Sequence, residues 1–341
     1  MKRAMMILAL AAAAPLAARD LPVPADKGWQ HAQTGLVLLP QLAGLPRRAL
    51  TDATASEHDV TAQFEAPDGS VSATVYIFHP AIPDVALWFD RARTAVESRN
   101  LFRDAAPASA DPVAFAAPGA TAASSLRQVY ANAGGAYRST ALAMIPVGEW
   151  IVSIRMSAKT LTADRLDAQV QQAIASIRWP RPGGGVALAA TPIRACATPL
   201  TFAKAKPVQA TGTDMILALL GSRIAAQAKA DPATPPQPAR TWCRDGDGRL
   251  EYGVYRDGGA GYEMAIYDAG RSVSVHPSVM GQIDKSGTYS VSLTDVDGTV
   301  STFPTFDALP SPKQVWALVA GGKRTGVSSG NRVTIDANSL R

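Results

Sequence analysis

The run Trp179-Pro180-Arg181-Pro182-Gly183-Gly184-Gly185 constrains this chain more than any other stretch. Proline stops the helix that precedes it, and three successive glycines supply a flexible joint. A 341-residue chain interrupted in this way is long enough for two ordinary cores. The expected organisation is a signal peptide over 1–18, a first domain over 19–180, a Pro/Gly linker over 181–190 and a second domain over 191–341. Both domains read as α+β, each a mostly antiparallel sheet with packed helices.

Residues 1–18 read as an address. Lys2 and Arg3 form a positive start, and Ala4 to Ala14 is an apolar run too short to span a bilayer. Pro15-Leu16-Ala17-Ala18 is the small-residue exit, with cleavage placed after Ala18. Removing the leader lowers the formal charge from +5 to +3, too mild and dispersed for a nucleic-acid partner. The basic pairs Arg47/Arg48, Lys204/Lys206 and Lys323/Arg324 read as solvated surface. No other segment has the length of a membrane span, and no cysteine near the cleavage site would carry a lipid. A soluble periplasmic or secreted protein is expected, not an integral membrane protein.

Export decides how the two cysteines are read. Cys196 and Cys243 are expected to pair in an oxidising compartment, closing 48 residues counting both ends. The chain-entropy relation gives such a loop ~4 kcal/mol of stabilisation. Catalytic thiol chemistry is correspondingly disfavoured.

In the first half, residues 69–78 alternate, with Val71, Ala73, Val75 and Ile77 on one face. Residues 83–99 switch to helical spacing with a stripe of Val85, Trp88/Phe89, Ala92 and Val96, started by Pro83-Asp84. Strands are expected over 124–131, 136–145 and 149–157, the first two joined through Gly134-Gly135. A closing helix over about 163–178 carries Leu166, Val170, Ile174 and Ile177, with Thr162 as cap and Leu161/Leu166 as hydrophobic staple. The result is an α/β/α layered sandwich.

Several of these residues resemble a known pattern. Thr34-Gly35-Leu36 to Pro40, the strand 71–77, the helix with Trp88-Phe89, and Glu149-Trp150-Ile151-Val152-Ser153-Ile154-Arg155 through Ile177-Arg178-Trp179-Pro180 are similar to small exported bacterial proteins with a PsbP-type fold. The resemblance covers 28–180 and implies a binding or assembly scaffold. It carries over no catalytic residue.

The second half opens extended through Cys196, with a helix expected over about 213–229 and an exposed loop over 231–238. Strands follow over 249–256, 260–268, 271–276, 287–294 and 298–303, then a helix over 312–320 and a last strand over 331–335. This is an antiparallel meander whose first strand is tied down by the disulfide.

The candidate enzyme motifs are each incomplete. Setting Asp247-Gly248 at positions 5 and 6 of a calcium loop puts Cys243 at 1 and Val254 at 12, and Asp295-Val296-Asp297-Gly298 fails similarly. Both read as Asp-Gly hairpin turns. His31, His58, His79 and His276 have no metal-ligand spacing among them, and His276 reads as solvated beside Ser272 and Ser274. Ser157 and Lys159 share a strand face but lack a burial that would depress the lysine. Glu251 and Glu263 flank a turn that sends them to opposite faces if even in length and aligns them only if odd. They read as surface charge. Gly183-Gly184-Gly185 lacks the lysine and helix of a phosphate loop. No cofactor and no metal are expected.

What remains is aromatic. Tyr252, Tyr255, Tyr262 and Tyr267, with Trp242 nearby, fall in the meander, where packing is the plain explanation and a face for a glycan or an envelope protein the sharper one. The expected function is a non-catalytic binding or assembly role in the cell envelope. The alternative is a periplasmic hydrolase of envelope polymers or small esters, using Glu251, Glu263 or His276.

Overall fold

Strand alternation and helix stripes resolve into two large, mostly antiparallel sheets with few helices, as seen in a computed structural model that describes residues 18–102, 104–132, 135–181, 188–208, 240–330 and 332–336. The signal peptide up to residue 17, most of the expected linker, the helix expected over 213–229 and the loop over 231–238 lie outside the described residues.

The first sheet runs in the order Arg19–Asp20, Leu45–Asp52, Asp59–Glu65, Val71–Phe78, Trp150–Ala158, Ser139–Val147, Ser125–Asn132 and Ala105–Pro107. Its strong central strands are those with clean alternation. Val71, Ala73, Val75 and Ile77 bury one face together with Ala141, Ala143, Ile145, Val152, Ile154 and Met156. Helix α2 (Ala163–Ser176) covers that face with Leu166, Val170, Ala173 and Ile174. Leu161 and Leu166 both pack there, so the staple forms, but the Thr162 hydroxyl makes no capping bond.

The opposite face offers Phe78, Leu126, Leu142, Met144 and Ile151 to helix α1 (Val85–Glu97), whose Val85, Leu87, Trp88, Phe89 and Ala92 fill the gap. Asp84 caps α1 by accepting from the Leu87 N–H at 2.9 Å.

Two strands escaped the sequence reading. Leu45–Asp52 and Asp59–Glu65 pair with a bulge between Arg47 and Ala49, where Pro46-Arg47-Arg48 breaks the apolar alternation. The bulge turns Arg47 inward. Its guanidinium donates to the carbonyls of Pro24 at 2.8 Å and Lys27 at 3.0 Å, so Arg47 is buried and not solvated surface as expected.

The second sheet follows the expected meander. Its order is Arg194–Ala195, Cys243–Arg244, Tyr252–Arg256, Tyr262–Ile266, Arg271–Pro277, Tyr289–Thr294, Val300–Phe306, Gly326–Ser329 and Arg332–Ile335. Cys196 and Cys243 are disulfide-bonded at the edge, where Arg194–Ala195 runs parallel to Cys243–Arg244. The helix Pro312–Ala320 packs Val315 on one face, started by a Ser311/Gln314 capping box. Among the described residues no helix is long and apolar enough to cross a membrane.

The other face of the second sheet meets α1. Tyr255 and Ala265 from that sheet, with Ile193 and Trp242, belong to the same cluster as Trp88, Phe89, Leu142 and Ile151. Each half of the chain thus owns a sheet, and the two share one helix. A helix packed on two sides is buried almost all round, and in α1 even Asp90 and Arg91 are buried.

Candidate functional site

The aromatic residues separate once the sheet forms. Residues three apart on a strand face opposite ways, so Tyr252 joins the core under the helix Pro312–Ala320, while Tyr255 lies beneath α1. Tyr262 packs with Tyr252, and its hydroxyl donates to the Pro310 carbonyl at 2.7 Å. The Tyr255 hydroxyl donates to Asp90 Oδ2 at 2.9 Å, and the Trp242 indole N–H to Asp84 Oδ2 at 3.1 Å. All four are buried. The continuous aromatic face expected of Trp242, Tyr252, Tyr255 and Tyr262 therefore does not form, because helices cover both sides of these strands.

Tyr267 is the exception, 46% exposed. Its ring stands edge-on to Trp316 at 6.2 Å, and Trp316 also packs on Tyr252 at 5.7 Å. Leu250 is exposed alongside in sequence, and the Arg249 guanidinium sits 5.9 Å from the Tyr252 ring. Tyr267 holds φ at +47°, a left-handed conformation unusual for a bulky residue. Two bonds impose it: its N–H donates to Glu251 at 2.7 Å, and its carbonyl accepts from Arg91 Nε at 2.8 Å. In the sequence Trp316 reads only as part of the helix 312–320, with Val315 and Val319, so it carried no expectation as a site residue.

A second group assembles on the α1-facing side of the second sheet. Glu263 lies opposite Tyr255 and Ser274 in register. Its buried carboxylate accepts from Ser274 Oγ at 2.9 and 2.7 Å and lies 3.0 Å from His276 Nε2. His276 is therefore ion-paired as well as partly exposed. The hydrogen bond that its imidazole donates to Glu263 raises its pKa, opposed by burial and reinforced by the carboxylate charge. The turn at Gly261 passes beside the ring: a Cβ there would fall 2.6 Å from His276 Nδ1 and 2.0 Å from the Val275 carbonyl, so only glycine fits.

This arrangement has the parts of a dyad, but not of a nucleophile and its base. Ser274 gives its proton to the carboxylate, not to the imidazole, whereas a serine nucleophile needs the imidazole as acceptor. The turn from Asp257 to Gly261 is odd in length, so Glu251 and Glu263 take positions of the same parity, contrary to the opposite-face expectation for an even turn. Four residues of strand rise still separate them by ~13 Å, too far for a glycosidase pair.

The remaining motifs resolve into structure. Asp245 accepts from the Leu200 N–H at 2.9 Å and pairs with Arg256, and Asp295 pairs with Arg271 at 2.9 Å. Ser157 Oγ is bonded to Thr140 Oγ1 at 2.9 Å, and Lys159 is exposed. Among the described residues no group of three or more His, Cys, Asp or Glu side chains is placed to hold a metal ion.

Charges buried between the two sheets were missed by sequence reasoning. Asp90 accepts from Arg244 at 2.7 Å, Arg93 at 3.1 Å and Tyr255, while Arg91 donates to three main-chain carbonyls of the second half. Nearby, Arg155 pairs with Asp268 and lies over the Tyr76 ring. Asp59 stands at the same junction, its pKa pushed up to about 6 by burial, with Asp52, Asp295 and Asp268 adding to the rise and Arg271 opposing it. The only signal was a charged Asp90-Arg91 pair set inside the apolar stripe of 83–99.

No family model, no curated protein and no solved structure matches the chain.

Proposed function

We propose that this chain is an exported, non-catalytic binding or assembly factor of the cell envelope, periplasmic or secreted. In this reading it is built as two α+β domains, the first a PsbP-like α/β/α sandwich. The Cys196–Cys243 disulfide supports the compartment. The contact surface assigned is Tyr267 with Trp316, and one observation carries it. Tyr267 keeps a positive φ that glycine or asparagine would adopt with less strain, while its ring stays half in solvent. A chain that bears such strain of ~1 kcal/mol to point an aromatic ring outward fits selection for contact with a glycan or a partner protein.

Tyr267→Asn tests this directly. The variant should unfold at the same midpoint or slightly higher, because the strain is relieved. Its retention on peptidoglycan sacculi, or its crosslinking to envelope proteins, should fall at least about tenfold. Retention and crosslinking both equal to wild type would overturn the reading.

A second reading, hydrolysis of envelope polymers or small esters, is favoured by the 3.0 Å Glu263–His276 contact, which leaves His276 Nδ1 as a base. On this reading the chain cleaves p-nitrophenyl esters at a rate that rises as His276 loses its proton, and His276→Asn abolishes it. Because Glu263 raises the pKa, the rise lies above the ordinary histidine range. Nitrophenol release at the buffer rate would end it.

A further inference from the structure

The exposed ring of Tyr267 belongs to a wider surface in which cations stand beside the aromatic residues. Trp316 sits between Tyr267 and Tyr252, edge-on to the first at 6.2 Å and tilted against the second at 5.7 Å. The Arg249 guanidinium lies 5.9 Å from the centre of the same Tyr252 ring, so that ring links Arg249 to Trp316. Lys313 precedes Trp316 by three residues on the helix Pro312–Ala320, a spacing that makes the two neighbours on the helix surface.

Arg91 fixes this surface from below. Its guanidinium donates to the carbonyls of Tyr267 at 2.8 Å, Arg249 at 3.0 Å and Leu250 at 3.1 Å. One buried cation thus gathers the backbones of an aromatic, a basic and an aliphatic residue, all three of them exposed. A surface held in this way has little freedom left to lose on binding.

The neighbouring acids are already opposed by other groups. Asp268 pairs with Arg155, and Glu251 favours the charge of the buried Arg91. Asp247 is exposed in the turn before Arg249, but the exposed cations Arg249 and Lys313 outnumber it. The rings are therefore flanked by a surplus of positive charge.

Taking Tyr267 with Trp316 as the contact surface, as above, we propose that its ligand is the carboxylate-bearing glycan strand of peptidoglycan. Tyr267 and Trp316 offer the apolar face for a sugar ring, and Arg249 with Lys313 meets the acidic groups the strand carries. Arginine suits that task, because its planar fork takes a carboxylate through two parallel hydrogen bonds. The size of the patch favours a glycan over a protein. Its apolar part stops at Leu250, Tyr267 and the partly exposed Trp316. A stable protein contact needs ~800 Å² from each partner and several buried anchors.

Cosedimentation of the full chain with sacculi tests this, using native sacculi and sacculi whose carboxyl groups have been amidated. Wild type should bind the amidated form at least about fivefold more weakly. Arg249→Gln, which keeps the carbonyl that Arg91 uses, should lose the same factor on native sacculi and be indifferent to amidation. Lys285→Gln should bind as wild type. Lys285 is equally exposed, but it follows the strand Arg271–Pro277 at the end remote from Tyr267.

Equal binding of wild type to both kinds of sacculi overturns the proposal and leaves the Tyr267 surface standing. So does an Arg249→Gln that binds as wild type, or a Lys285→Gln that binds as weakly as Arg249→Gln. If Arg249→Gln does not fold, Lys313→Gln decides with the same expected signs. Undiminished retention and crosslinking of Tyr267→Asn overturns the surface itself, and the glycan with it. Native sacculi that do not retain the wild type overturn the glycan alone; a protein crosslink lost in Tyr267→Asn then assigns the surface to a protein partner.

Discussion

Arg91→Met should lower the stability of the chain by ~3–5 kcal/mol, the largest loss expected of any single side chain. Arg91 is fully buried on α1, yet everything it holds belongs to the second half. Nε donates to Tyr267 at 2.8 Å, Nη1 to Arg249 at 3.0 Å and Nη2 to Leu250 at 3.1 Å. Its stem crosses the backbone at Gly253, where a Cβ would fall 2.7 Å from Arg91 Cδ. Methionine roughly keeps the volume but strands three carbonyl groups, each costing ~1 kcal/mol or more when left unpaired in the interior.

Removing the buried cation offsets part of that loss, since a guanidinium is itself expensive to desolvate. Burial lowers the Arg91 pKa, and Asp268, Asp90 and Glu251 oppose the shift. Arg91→Lys should rescue little, because a point charge does not span three acceptors in fork geometry. Urea unfolding followed by far-UV circular dichroism reads the effect. A single wild-type transition should give way to two, as the sheets lose their shared helix. An unchanged midpoint would mean that apolar packing on α1 holds the halves together without Arg91.

Replacing both Cys196 and Cys243 by alanine should cost ~3–4 kcal/mol. The bridge closes a span of sequence separation 47, so most of the effect is the freedom returned to the unfolded chain. The folded side is local. Arg194–Ala195 pairs with Cys243–Arg244 over two residues only, and the Cys196 N–H donates to Arg244 at 2.8 Å. So short an edge pairing has little to hold it once the covalent tie is gone. Arg244 also bonds Asp90, so fraying there should weaken the α1 contact as well. Thermal unfolding with and without reductant measures the loss, and coincident curves would show that the edge holds without the bridge.

The legible and illegible parts of the molecule differ in kind. Strands with clean alternation, such as Val71–Phe78 and Trp150–Ala158, and helices with a stripe, such as α2, fell where their periodicity placed them. Leu45–Asp52 did not, because Arg47 interrupts the pattern with a burial that depends on the carbonyls of Pro24 and Lys27. Tyr252, Tyr255 and Tyr262 looked like a face because composition counts residues without assigning sides. Pairing sent them to two sides, and the helices then covered both.

By itself the sequence determined the regularly patterned strands and helices, the meander and the Cys196–Cys243 pairing, since period and cysteine count are local or compositional properties. Only the tertiary structure decided that α1 would serve both sheets, that Glu263 would meet His276, and that three histidines would ring Trp150. Those outcomes depend on strand register and on contacts between residues from 13 to more than a hundred positions apart. Shifting a strand by one residue moves every side chain to the other face, so such sites exist only once the ladders have closed.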